Sequence, residues 1–169
     1  LDIVNFWAGT GVDGFRCDMV ELVPADFFTW LIREIHKLHP GITFIAEVYQ
    51  KELYSKYIRE VGFDLLYDKS GMYDTVRAIV QKNTDDSGVP VEAWQSAKKI
   101  TWNWQSLGDL QPYMLNFLEN HDEQRFASDF FGKDAVNAFA ALYASLYFNR
   151  ASFMIYSGQE IGERGMYQE

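Results

Sequence analysis

Short apolar runs alternate along the chain with longer amphipathic segments. Apolar residues recur at helical spacing after Pro24, and Pro40-Gly41 ends this run, which predicts a helix between them. Residues 42–46 are rich in β-branched side chains, carry no charge and are followed by Glu47, which predicts a buried strand. The pattern thus predicts helices and strands in alternation.

The same criteria predict five strands separated by helices. The predicted strands are 11–18, 42–46, 63–67, 113–119 and 151–157, and the other predicted helices are 1–8, 52–61, 72–81, 91–104 and 134–148. Alternation of this kind is typical of a parallel sheet with right-handed crossovers, hence of an α/β fold. A doubly wound sheet and a barrel share the pattern, and a complete (β/α)₈ barrel needs about 250 residues.

Composition and charge narrow the classes of function. The net charge of −9 argues against nucleic acid and against an anionic membrane surface, whereas a neutral substrate meets no electrostatic penalty. No apolar run is long enough to span a bilayer. A single cysteine, Cys17, excludes an internal disulfide and a cysteine-built metal site. The start lacks an initiator Met and a signal-peptide pattern, so both a secreted or periplasmic and a cytoplasmic location stay open.

Acidic residues follow three of the predicted strands. Asp18, Glu47 and Asp122 each lie at or just past a strand's carboxyl end, the face on which barrel enzymes build their sites. A single acid after a strand is more often a helix cap or a solvated loop residue. The hypothesis of a carboxylate site therefore depends on the three acids together.

The environments of these acids differ. Arg16 and Asp18 point to the same side of a strand, so Arg16 is expected to hold Asp18 ionised, although a purely structural ion pair fits equally. Cys17 points the other way and is expected to be inert packing. Glu47 emerges from apolar surroundings, which suits a proton donor. His121, beside Asp122, is expected to donate to a substrate hydroxyl or to be a surface or capping residue.

Four motifs resemble the α-amylase family, glycoside hydrolase family 13. Gly14-Phe15-Arg16-Cys17-Asp18, Phe44-Ile45-Ala46-Glu47 and Phe117-Leu118-Glu119-Asn120-His121-Asp122 stand in the order and relative spacing of three of its short conserved regions. The stretch 155–162 resembles the segment that follows that family's eighth strand. The resemblance implies the fourth to eighth strands of a partial (β/α)₈ TIM barrel. Residues 1–169 would then be the C-terminal portion of a catalytic barrel, with no second domain.

The resemblance also implies residue roles. Asp18 is similar to the family nucleophile, Glu47 to the general acid/base and Asp122 to the transition-state stabiliser. Arg16 matches the arginine that orients the nucleophile, and His121 matches a substrate-binding histidine. Retention of anomeric configuration would require the Asp18 and Glu47 carboxyls to lie about 5–5.5 Å apart. No residue of this chain is assigned to a metal, and a calcium ion is possible only for the full-length enzyme.

One departure from the family leaves the reaction open. Glu21-Leu22 stands where many α-amylases carry Lys-His, a pair that contacts substrate on the leaving-group side. Retaining hydrolysis of α-glucosidic bonds in starch-like glucans or maltodextrins is the first hypothesis. The alternatives are a transglycosylase or sugar isomerase on the same scaffold, or a non-catalytic relative that binds a partner. Five parallel strands alone are expected to be inactive and to self-associate through open edges.

Overall fold

The computed structural model describes residues 1–80, 98–131, 134–147 and 150–165. The chain forms two compact units, Leu1–Tyr67 and Asp68–Glu169. Helices and strands alternate in both units, as the apolar pattern predicts. None of the helices in the described ranges is long and apolar enough to cross a membrane.

Three parallel strands form the sheet of the first unit. They pair in chain order and are β1 (Gly14–Cys17), β2 (Thr43–Ala46) and β3 (Leu65–Tyr67). Gly14 stands opposite Thr43, and a Cβ at this glycine would lie 2.3 Å from the Thr43 carbonyl oxygen, so a side chain would push β1 off β2. The register ends with Cys17 opposite Ala46, so the residues that follow β1 and β2 start side by side.

The first unit also contains three α-helices. They are α1 (Asp2–Ala8), α2 (Ala25–Leu38) and α3 (Tyr54–Lys56), the last flanked by a 3₁₀ turn at Lys51–Leu53 and a π turn at Tyr57–Val61. The helix predicted over 52–61 is therefore present as a composite of three helical types. Gly62 ends it with φ of 98°, a conformation that glycine adopts without a Cβ clash.

In α2, the apolar residues of the sequence pattern form one buried face. Its buried side chains are Phe28, Leu31, Ile32 and Ile35, which recur every three or four residues and lie on one face. Each such burial contributes about 1.5–3 kcal/mol. Phe27 belongs to the same apolar run but is 44% exposed, because its position falls outside that face, and Leu38, the last residue of the helix, is 57% exposed.

Within its described residues, the second unit has two parallel strands and three α-helices. They are α4 (Asp74–Val80), α5 (Lys98–Leu107), β4 (Met114–Phe117), α6 (Ala135–Tyr147) and β5 (Ser152–Met154). Its core contains Met72, Val76, Leu118, Phe126, Ala127, Ala138 and Ala141. Trp104 packs against this core, whereas Trp102 is exposed. Trp94 and the turn predicted over 83–90 lie outside the described residues.

Asp68 starts the second unit as a helix cap, the role expected from its place after a strand. Its buried carboxylate accepts a hydrogen bond from the Met72 N–H at 2.9 Å, at the head of a π turn that spans Lys69–Tyr73. The turn leads directly into α4, so this capping bond fixes where the helical segment begins.

Candidate active site

The acids after β1 and β2 are brought together by strand pairing. Asp18 follows β1 and Glu47 follows β2, and the Glu47 N–H donates to the Cys17 carbonyl oxygen at 3.0 Å. This bond continues the parallel ladder by one residue past the end of β2. It places the Glu47 side chain at the carboxyl edge of the sheet, next to Asp18.

Arg16 binds both of these acids. Its Nη1 contacts the Asp18 carboxylate, and its Nη2 donates to Glu47 Oε1 at 2.7 Å. Burial lowers the pKa of the Arg16 guanidinium, but the carboxylates of Glu47 and Asp18 outweigh burial, so the pKa lies above its ordinary value. The same guanidinium lies 5.3 Å from the centroid of the Tyr67 ring, close enough for a cation–π contact. Arg16 is therefore charged and held in place by partners from all three strands or their ends.

Asp18 and Glu47 differ sharply in exposure. The Asp18 side chain is 70% exposed, whereas the Glu47 side chain is 5% exposed. A ligand at the edge of the sheet would thus reach Asp18 directly. Glu47 presents its carboxyl group from a nearly buried position.

The Glu47 carboxylate accepts three hydrogen bonds. Oε1 accepts from Arg16 and from the Tyr49 hydroxyl at 2.9 Å, and Oε2 accepts from the Met19 N–H at 2.9 Å. Met19 has φ of 44°, the one positive φ among the non-glycine residues that the structure describes. Such a backbone conformation costs of order 1–3 kcal/mol, and here it accompanies an N–H that points at the carboxylate.

Cys17 faces away from this cluster, as the alternation of side chains in a strand predicts. Burial raises the pKa of its thiol to about 11, and the nearby charge of Arg16 only partly opposes this. A thiol with such a pKa is almost entirely protonated at neutral pH, so it is a poor nucleophile. This agrees with the expectation that Cys17 is inert packing.

The second unit holds the other predicted site residues. His121 Nε2 lies 3.3 Å from Asp122 Oδ2, and both side chains are more than half exposed. Asn120 is buried, and its Oδ1 accepts hydrogen bonds from the N–H groups of Asp122 at 2.9 Å and Glu123 at 3.0 Å. This Asx turn sets the backbone direction at Asp122.

A buried ion pair closes the loop that carries His121 and Asp122. Glu119 accepts from Arg125 Nη1 at 2.7 Å and from the Phe126 N–H at 2.8 Å. Arg125 also donates through Nη2 to the Ser157 carbonyl oxygen at 2.5 Å, which ties the segment after β4 to the segment after β5. Burial raises the pKa of the Glu119 carboxyl above its ordinary value, although the Phe126 N–H and Arg125 act against this shift.

Glu123 contacts two residues of the π turn Lys69–Tyr73. Its carboxylate accepts from the Tyr73 hydroxyl at 2.7 Å and lies 3.2 Å from Lys69 Nζ. Burial and the Glu123 carboxylate together raise the pKa of the Tyr73 hydroxyl far above its ordinary value. Tyr73 therefore remains a hydrogen-bond donor to Glu123 at any physiological pH.

Several of these contacts are missed by reading the sequence alone. The hydrogen bond from the Tyr49 hydroxyl to Glu47 has no signal in the sequence. Met19, Glu119 and Arg125 carry no sequence signal of their roles beyond their place near strand ends. Gln159 is buried and accepts from the Tyr156 N–H at 3.1 Å.

The part of the chain that the structure describes contains no candidate metal site. No three His, Cys, Asp or Glu side chains within residues 1–80, 98–131, 134–147 and 150–165 are arranged to hold an ion. The suggestion of calcium in the full-length enzyme concerns residues other than these and remains an expectation.

Solved structures with the same architecture define the class of fold. The structure of a cyclic α-maltosyl-(1→6)-maltose hydrolase from Arthrobacter globiformis aligns with a TM-score of 0.74 at 21% identity, over 98% of this chain and 36% of that one. A debranching enzyme from Nostoc punctiforme aligns with a TM-score of 0.76 at 19% identity, over 99% and 37%. The chain therefore has an α/β fold that corresponds to part of a (β/α)₈ barrel, as the sequence predicts.

Sequence comparison identifies the family. The model of the α-amylase catalytic domain matches residues 1–169, and the chain belongs to the α-amylase family. It is 31% identical to the α-amylase MalA of Haloarcula japonica over 98% of its length and 22% of that protein. It is 40% identical to an α-1,4-glucan:maltose-1-phosphate maltosyltransferase of Corynebacterium pseudotuberculosis over 38% of its length and 10% of that protein. The chain thus spans a minor part of these relatives.

Proposed function

We propose that this chain carries the catalytic carboxylates of a retaining glycoside hydrolase that cleaves α-glucosidic bonds in starch-like glucans or maltodextrins. The observation that carries the proposal is the pair of acids that Arg16 binds together, of which Asp18 is exposed and Glu47 is nearly buried. Glycoside hydrolysis with retention needs two carboxyl groups in different protonation states on one site. Family membership adds the substrate class, since the relatives named above act on glucans or maltose-containing sugars by their names.

In the first step, Asp18 is the nucleophile. Its carboxylate is kept ionised and oriented by Arg16, and its exposure lets it reach the anomeric carbon of a bound sugar. The new bond forms between that carbon and an Asp18 oxygen. The bond to the departing sugar oxygen breaks, and its electron pair stays on that oxygen.

Glu47 supplies the proton that the departing oxygen takes up. Among the described contacts Oε1 accepts two hydrogen bonds and Oε2 accepts one, so we assign the transferred proton to Oε2. In the second step the Glu47 carboxylate removes a proton from water. That water attacks the anomeric carbon and releases Asp18, which restores both acids.

Asp122 and His121 are proposed to bind the hydroxyl groups of the reacting sugar. Both are exposed, and the Asx turn at Asn120 holds the backbone at Asp122. A carboxylate that accepts hydrogen bonds from sugar hydroxyls also stabilises positive charge at the ring in the transition state. The acidic surface of the chain, with a net charge of −9, is compatible with such a neutral substrate.

Replacement of Glu47 by Gln in the full-length protein tests the proposal. We expect Glu47→Gln to lower the rate of maltooligosaccharide hydrolysis by about 10²–10⁴-fold, because the amide cannot deliver a proton. Glu52→Gln, an exposed acid five residues away, is the matched control and should keep wild-type activity. Unchanged hydrolysis by Glu47→Gln would disprove the acid/base assignment, and inverted product configuration by NMR would disprove retention.

Glucan transfer is a second candidate, favoured by the match to the maltosyltransferase and by the Glu21-Leu22 departure. The chemistry is the same up to the Asp18 ester, and a sugar hydroxyl then replaces water as the attacking group. Product analysis at rising concentrations of maltose separates the two candidates. Longer oligosaccharides in place of free reducing ends would establish transfer as the main reaction.

A further inference from the structure

Glu21 lies in a short 3₁₀ turn, Val20–Leu22, three residues past Asp18. Its carboxylate reaches across to the segment that follows Glu47. Oε1 accepts from the Gln50 N–H at 3.0 Å, and Oε2 accepts from the Tyr49 N–H at 3.3 Å. One carboxylate thus holds two consecutive backbone groups of the neighbouring strand's loop.

The turn that carries Glu21 is itself anchored. Val20 is completely buried, and its carbonyl oxygen accepts from the Tyr57 hydroxyl at 3.2 Å. Burial raises the pKa of that Tyr57 hydroxyl, and the charge of Glu21 adds to the shift, so Tyr57 stays a donor. Glu21 therefore projects from a fixed backbone.

Tyr49 connects Glu21 to Glu47 by hydrogen bonds. The Tyr49 backbone is bound by Glu21, and its hydroxyl donates to Glu47 Oε1 at 2.9 Å. The same turn also binds Glu47 on its other oxygen, since the Met19 N–H donates to Oε2. The segment after β1 thus holds both oxygens of the nearly buried carboxyl group, one directly and one through Tyr49.

We infer that Glu21 is a positioning residue that orients Glu47 for proton transfer to the departing sugar oxygen. The inference rests on the proposed function of Glu47. Two backbone N–H groups bound to an ionised acceptor form charge-assisted hydrogen bonds, which are stronger and more directional than neutral ones. Without Glu21 these two donors lose their acceptor, and the backbone that carries Tyr49 loses two of its hydrogen bonds.

The inference also explains why an acid stands at this position instead of the Lys seen in many family members. A lysine ammonium has no lone pair, so it has nothing with which to accept from the Tyr49 and Gln50 N–H groups. Glu21 is turned toward the backbone at residues 49–50, while its neighbour Leu22 is 76% exposed. At this position the chain therefore carries a side chain that can accept both of these hydrogen bonds.

The experiment compares two substrates that differ in their need for an acid. Maltooligosaccharides have poor leaving groups that require a proton, whereas the fluoride of an α-maltosyl fluoride departs with little protonation. In the full-length protein, Glu21→Ala and Glu21→Lys should lower kcat/KM on maltooligosaccharide by about 10–100-fold, the usual effect of a displaced catalytic group. We expect kcat/KM on the fluoride, which reports only the formation of the Asp18 ester, to change by less than about threefold.

Conservative and surface variants complete the design. Glu21→Gln keeps one acceptor oxygen in place and should recover much of the lost activity; it also serves if Glu21→Ala fails to fold. Glu60→Gln removes an exposed acid of the same unit and should match the wild type. In a Tyr49→Phe background, Glu21→Ala should cost less than it does alone, because the two residues act on Glu47 in series.

Two outcomes overturn the inference. Equal losses of kcat/KM on both substrates would mean that Glu21 only stabilises the local fold, and unchanged kcat/KM on both would mean that it has no role. Glu47→Gln separates these results from a failure of the proposed function. If Glu47→Gln loses oligosaccharide hydrolysis while the Glu21 variants do not, only the positioning role is wrong; if Glu47→Gln stays active, both proposals fall.

Discussion

Arg16 donates from Nη2 to Oε1 of Glu47 at 2.7 Å, although the two residues are 31 positions apart in the sequence. The other terminal nitrogen of the same guanidinium contacts Asp18. A planar fork with two donor nitrogens can bind two carboxylates at fixed angles, whereas an ammonium is a single point of charge. The geometry therefore makes Arg16 the element that sets the distance between the two acids.

Arg16→Lys tests this role. We expect kcat/KM on maltooligosaccharide to fall by about 10²-fold, because lysine retains the charge but not the two-pronged geometry. Arg33→Lys, a conservative change at an exposed arginine of α2, is the control and should be neutral. Steady-state kinetics on the full-length protein measures both. An Arg16→Lys variant as active as Arg33→Lys would show that charge alone suffices.

Arg16 makes one contact that the sequence predicts, with Asp18, and one that it does not, with Glu47. The alternation of side chains in β1 predicts that Arg16 and Asp18 share a face, since this depends on one strand only. The bond to Glu47 depends on the register of β1 with β2, a long-range property that local patterns do not contain. The bonds from Glu21 to the 49–50 backbone are missed for the same reason.

The predicted boundaries of helices and strands are wrong where tertiary contacts override the local preference of the sequence. The third strand is predicted to start at Phe63 but starts at Leu65, because the Phe63 N–H donates to the Tyr57 carbonyl oxygen and closes the preceding helical segment. Asp64 then exchanges hydrogen bonds with Phe44. In contrast, α2 and β2 are predicted almost to the residue, since Pro24, Pro40 and an uncharged run of five residues delimit them.

Cys17 should react slowly with thiol reagents in the native protein. With the pKa raised from 9.0 to about 11, the thiolate fraction at pH 8 is about 100-fold lower than for an unperturbed thiol. The rate of iodoacetamide labelling, followed by mass spectrometry in native buffer and in urea, measures the difference. Cys17→Ser provides the blank, since the chain has one cysteine. Equal labelling rates in the two conditions would contradict the burial of this thiol.

Gly158→Ala should destabilise the fold. Gly158 has φ of 84°, and an added Cβ would lie 2.9 Å from Arg125 Nη2 and 3.0 Å from the Glu163 Cβ. We expect a loss of about 1–3 kcal/mol in the free energy of unfolding by urea. Gly41→Ala is the matched control, because it has no neighbour within 4 Å and no positive φ, and it should be neutral or stabilising by about 0.4–1 kcal/mol. Equal stability of the two variants would argue against the left-handed turn.

The hydrogen bonds of buried Glu119 should contribute to stability. Glu119→Gln keeps the size and one acceptor oxygen but sets an NH2 group against one of the two buried donors, the Arg125 guanidinium or the Phe126 N–H. A buried donor left without an acceptor typically costs about 1–3 kcal/mol. Urea unfolding of the full-length protein measures this loss, and Glu160→Gln, an exposed acid of the same unit, should be neutral.

The pH dependence of that loss follows from the direction of the Glu119 pKa. Burial raises this pKa in the folded state above the unfolded value of about 4.5. The folded state therefore binds more protons than the unfolded state between the two values. Since stability falls with pH wherever the folded state binds more protons, the advantage of wild type over Glu119→Gln is full below about pH 4.5. The stability advantage of wild type should shrink as pH rises through the raised pKa of Glu119 and then level off. An advantage that grows over this range would mean that the attraction of Arg125 outweighs the burial of Glu119.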